Sequence, residues 1–165
     1  MPLGEVAVIS TAVAAFLLWS VAVYLDLETG SDNGRKWVGR IWTSGAIVMA
    51  VHVLLAFHVH HQWSHDEAVV ATAAQTREVL GVEWGGGLWF NHVLVLVWLA
   101  DSAWRALDLK SYENRPCHVH AVIHLYLAFM WFNATVVFGS GSRILGVPVF
   151  AILALRFIPK IRRKG

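Results

Sequence analysis

Five long apolar runs, separated by polar stretches, organise the 165-residue chain. They cover about 6–25, 41–61, 88–107, 119–138 and 144–158. A helix needs ~20 residues to cross ~30 Å of hydrocarbon, and the first four runs have that length. The fifth is shorter, contains Pro148 and carries Arg156 near its end. It either spans with a snorkelling arginine or lies in the interface. The pattern predicts an all-α integral membrane protein: a bundle of five transmembrane helices, or four plus one interfacial helix, forming a single domain.

The stretch between the second and third runs predicts a helix of its own. Ser64-His65-Asp66-Glu67 matches a capping box, with Ser64 as N-cap and Glu67 three residues later. Gly81 is a natural stop, so a surface helix is expected over about 65–80. If the second run breaks at Ser64, His65 leaves its helix face and opens the surface helix. The three glycines 85–87 then permit close backbone approach or a flexible entry to the third run.

Composition agrees with the membrane class: 57% of residues are hydrophobic and 15% charged. The net charge is only +2, but its distribution is lopsided. Arg35, Lys36 and Arg40 follow the first run. Arg105, Lys110 and Arg115 lie around the end of the third, and Lys160–Lys164 form a basic tail. With five spans all of these fall on one side. The positive-inside rule then puts the N-terminus outside and the C-terminus inside, in a bacterial-type inner or plasma membrane. Trp37, Trp42 and Trp104 are expected at the inner interface, and Trp63, Trp84 and Trp89 at the outer one. No Lys or Arg precedes Arg35, so the first run is expected to be a retained helix and not a cleaved signal. The basic tail reads as a topology signal, and no nucleic-acid partner is expected. The single cysteine, Cys117, cannot form an internal disulfide.

Candidate chemistry rests on the nine histidines. Ionisable groups at membrane depth usually have a task, and imidazole is a common metal ligand. On a continuous helix, His58, His61 and His65 fall within about 60° of one another. His92 approaches the same outer depth from the third run. These four form the expected outer site, with Asp66, Glu83 and Asn91 as groups that orient the ligands or relay protons. A weaker inner site joins His52 on the second run to His124 and His120 on the fourth. Copper, iron, another histidine-ligated metal or haem b suits such ligands, and the spacing does not choose between them. His52 and His58 are only ~9 Å apart along a helix axis, which is tight for two stacked haems.

Asp101 and Arg105, four residues apart, are expected to form a structural ion pair. Asn91 and Asn133 are expected to hydrogen-bond between helices. The chain holds no nucleophile elbow, dinucleotide fingerprint, kinase motif set or His-Glu-x-x-His. The reading is a membrane redox protein with a histidine-ligated metal or haem near the outer leaflet, serving electron transfer or small-molecule oxidation with a membrane or redox partner. The alternatives are a non-catalytic subunit of a respiratory or oxidase-like complex, and a metal-ion or proton transporter.

Overall fold

The boundaries of the second and third helices follow from local backbone devices. Ser31 caps the second helix, its Oγ accepting the Gly34 N–H at 3.2 Å. That helix stops where Gln62 and Trp63 adopt left-handed backbone, at φ 46 and 66. Both of their N–H groups turn back to the Phe57 carbonyl, the Trp63 bond being 3.1 Å. One residue later Ser64 Oγ accepts the Glu67 N–H at 3.2 Å and starts the next helix. That helix ends at Gly81, which has φ 75. The expected surface helix is therefore present over His65–Leu80, with His65 as its first residue.

The computed structural model describes residues 1–28, 31–139 and 141–162, with side chains except at 28 and 157–162. The described residues form α1 (Leu3–Glu28), α2 (Asp32–His61), α3 (His65–Leu80), α4 (Gly87–Leu107), α5 (Leu109–Glu113), α6 (Cys117–Phe132) and α7 (Arg143–Arg162). They contain no strand. A wider π-helical turn, Asn133–Val137, extends α6. The side chains of the basic tail lie outside the described residues.

α1 packs along α2, α2 also meets α4, and α4 meets α6. α7 returns to α6 and α1, while α3 lies across α2 and α4. At the π-helical turn Arg143 donates to the Val136 and Val137 carbonyls at 2.7 and 2.9 Å, bonding groups near the helix end. A side chain at Gly146 would come within 2.5 Å of Thr135 Oγ1, so this glycine sets the approach of α7.

The core is aromatic. Trp42 meets Trp98 edge-on at 5.5 Å, Trp98 meets Trp131 at 6.3 Å, and Trp131 meets Trp19 at 6.4 Å. Trp42 is therefore core and not interface belt, whereas Trp37, Trp63, Trp84 and Trp89 are exposed. Outward faces are apolar too, as with Ile47, Val51 and Leu54 on α2 and Val122, Leu125 and Phe129 on α6. Three helical stretches are long and apolar enough to cross a membrane: Leu3–Leu27, Asp32–His61 and Cys117–Val137.

Candidate functional site

The histidines lie in two regions. Towards the α2–α3 corner a cavity of about 630 Å³ is lined by His52, His60, His61 and His92 together with Glu67 and Asn91. Its deeper wall is apolar and includes Met49 and Trp131. Phe57 is the packing centre beside it. The rings of His61, His65 and His92 lie 5.6, 6.4 and 5.6 Å from the Phe57 ring. His65 stacks on His92 at 6.0 Å.

Two of these rings have a defined tautomer. His92 Nδ1 is 2.9 Å from the Leu88 carbonyl, and His52 Nδ1 is 3.1 Å from the Val8 carbonyl of α1. A carbonyl can only accept, so Nδ1 carries the proton in both rings. In the neutral imidazole Nε2 then keeps its lone pair, the arrangement found in ligating histidines anchored from behind by a carbonyl. Trp131 adds a buried indole N–H with no acceptor.

Other expected members of the outer site lie elsewhere. His58, inside α2, is exposed and packs on Trp63 at 6.1 Å, while the left-handed corner at Gln62 and Trp63 takes His65 out of the α2 stripe and into α3. Glu83 pairs with Arg77 at 3.3 Å on the exposed surface. Asp66 is exposed in the first turn of α3, while Asn91 lines the cavity as expected. Asn133 bonds back to the Phe129 carbonyl of its own helix at 2.7 Å and not to Asn91. Glu67 enters the cavity wall unforeseen, because its capping role in sequence gave no sign of it.

The second region is a closed polar network at the opposite end of α2. Asp101 has a fully buried side chain and accepts three hydrogen bonds: Trp42 Nε1 at 2.8 Å, Tyr112 Oη at 3.1 Å and Arg115 at 2.7 Å. Arg115 also donates to His120 Nδ1 at 2.5 Å. A guanidinium only donates, so neutral His120 carries its proton on Nε2, the reverse of His52 and His92. His120 packs at a tilt on His124 at 4.2 Å, and His124 packs on Trp42 at 4.9 Å, which closes the ring. Burial, then the adjacent Asp101 charge, push the Tyr112 phenol above its ordinary value, so it stays a donor.

This arrangement revises two sequence expectations. Asp101 pairs with Arg115, delivered by the turn between α5 and α6. Arg105 instead donates to the Arg35 carbonyl at 2.5 Å and lies over the Tyr112 ring. His52 does not join His124: its ring bonds to α1 and lines the outer cavity, whereas His120 and His124 line a separate cavity of about 350 Å³. Arg115, Tyr112 and Trp42 are the residues that sequence spacing could not assign to this centre.

Among the described residues, no three His, Cys, Asp or Glu side chains are arranged to hold a metal ion. Comparison with protein families, with characterised proteins and with solved structures finds no match for this chain.

Proposed function

We propose that the chain is an integral membrane redox protein that holds a histidine-ligated cofactor in the outer cavity. His52 and His92 are the proposed ligands. The observation that carries this reading is their shared state: both line one cavity, both have Nδ1 committed to a carbonyl, and both keep Nε2 to bind. Two imidazoles on one cavity would suit a group held by a histidine pair, such as haem b, which would supply one-electron chemistry there. A volume of about 630 Å³ with an apolar floor suits a large flat ligand. His61, His65, Glu67 and Asn91 would then tune the site or relay protons.

In this reading five helices span the bilayer, with the N-terminus outside, the basic loops inside and a redox partner docking on the membrane-embedded unit. A transporter is the less favoured alternative. Trp42 borders the inner cavity, Trp131 borders the outer one and Trp98 touches both, so aromatic packing interrupts the path between the polar regions.

Two experiments test the reading. Purified protein should show a Soret band and about one iron per chain; a colourless, metal-free protein that takes up neither haem nor metal ions sinks it. Orientation is read from Cys117, the chain's only cysteine and an exposed one. An impermeant maleimide applied to intact cells should leave it unlabelled until the membrane is opened, and labelling from outside inverts the proposed topology.

A further inference from the structure

A cleft of about 720 Å³ lies between the first turns of α2 and the junction of α4 with α5. Its walls carry Arg35, Lys36, Arg40 and Arg105 against Asp32 and Glu113, four cations facing two carboxylates. Both carboxylates are turned to one arginine: Arg35 pairs with Asp32 and stands 3.7 Å from Glu113. Among the described residues, Lys36, Arg40 and Arg105 have no carboxylate partner. Arg105 is instead held by the Arg35 carbonyl, and Arg40 lies 5.0 Å over the exposed Trp37 ring.

What continues from the cleft along the helices is as informative as its charge. Thr43 and Ser44 place hydroxyls one turn beyond Arg40. The exposed stripe of α2 then runs through Ile47, Val51 and Leu54 at helical spacing. On α4 the exposed positions Ala106, Ala103 and Ala100 are small and lead to Leu96. Cations, then hydroxyls, then exposed apolar and small side chains follow the order of groups along a phospholipid: phosphate, glycerol esters, acyl chain.

We propose that this cleft binds the headgroup of an anionic phospholipid, with Lys36, Arg40 and Arg105 on the phosphate and an acyl chain along α2 and α4. Basic pockets between membrane helices recognise headgroups in this way, each cation near the surface adding roughly fivefold in affinity. The proposal rests on the membrane part of the reading above and is independent of the cofactor.

The test is thermal unfolding of the detergent-purified full chain with added phosphatidylglycerol, phosphatidylcholine or inorganic phosphate. Phosphatidylglycerol should raise the melting temperature in a saturable way, while the other two should not. Lys36→Gln with Arg40→Gln should weaken the apparent affinity at least about tenfold. The charge-preserving pair Lys36→Arg with Arg40→Lys should retain it, as should Lys110→Gln, which removes a nearby charge outside the cleft. Equal stabilisation by phosphatidylcholine, full stabilisation by inorganic phosphate, or an unchanged double variant overturns the proposal. If the double variant does not fold, Lys36→Gln alone decides, with an expected loss of roughly fivefold. A chain recovered in the soluble fraction without detergent overturns the membrane reading itself; a membrane-extracted chain indifferent to phosphatidylglycerol overturns the lipid site alone.

Discussion

The two ends of α2 handle polar groups in opposite ways. At the Asp101 end every partner is supplied from within: one carboxylate takes donors from an indole, a phenol and a guanidinium, and the guanidinium's spare donor goes to His120. At the His92 end the anchoring is one-sided. Carbonyls hold Nδ1 of His52 and His92, and each ring keeps a lone pair beside a cavity. On the proposed reading, the difference separates a structural centre from a binding one. A buried charge with a complete set of partners holds helices together, and removing one partner strands the others. A ring fixed on one side alone keeps a lone pair that a ligand can take.

Substitutions at the Asp101 end should act on stability and leave cofactor binding in whatever folds. Asp101→Ala strands Arg115 and should cost about 3–5 kcal/mol, read as an early thermal transition in detergent. Asp101→Leu with Arg115→Met should recover much of that loss. A wild-type melting curve for Asp101→Ala would erase the contrast between the two ends. The aromatic packing between them is tested next. An added methyl at Gly45 would stand 2.6 Å from Trp98, so Gly45→Ala should destabilise by about 1–3 kcal/mol and loosen both cavities together. Change at only one end would show that Trp98 does not link them.

Tyr112→Phe removes one of the three donors to Asp101 and should cost about 1 kcal/mol. Its pH signature is specific. The folded phenol titrates above its ordinary value, so its contribution is full below about pH 10 and is lost as pH rises through the folded value. The alkaline fall in melting temperature should shrink in Tyr112→Phe, and an identical fall removes the phenol from the network. The smallest global effect is expected from Ser64→Ala, about 1 kcal/mol confined to α3. Because α3 carries Glu67 into the cavity wall, this variant should release cofactor faster and exchange α3 amides sooner, with little change in melting temperature. Unchanged release would make α3 a bystander.

Local signals were legible in the sequence and long-range ones were not. The capping box at Ser64 and the stop at Gly81 gave α3 to the residue, and the apolar runs gave the cores of the other long helices. Helical phase groups His61 and His65, depth adds His92, and the three rings do meet around Phe57. Helical phase places His58 beside His61, yet His58 faces outward from the same unbroken helix and is exposed. Asp101 was given the neighbour that helix spacing offers, Arg105, yet its partner is fourteen residues away across a turn. No periodicity encodes such a pairing. His52 was joined to His124 by depth alone, and depth does not reveal that a ring turns towards the Val8 carbonyl of another helix.

The central claim, that the outer cavity binds a cofactor through His52 and His92, is tested most directly by cofactor stoichiometry across four purified proteins: wild type, His52→Ala, His92→Ala and His124→Ala. Haem absorbance and iron content should be near one per chain in wild type and in His124→Ala, and should be lost or spectrally altered in His52→Ala and His92→Ala. A wild type without cofactor even after reconstitution, or loss in His124→Ala with retention in the other two, would contradict the account.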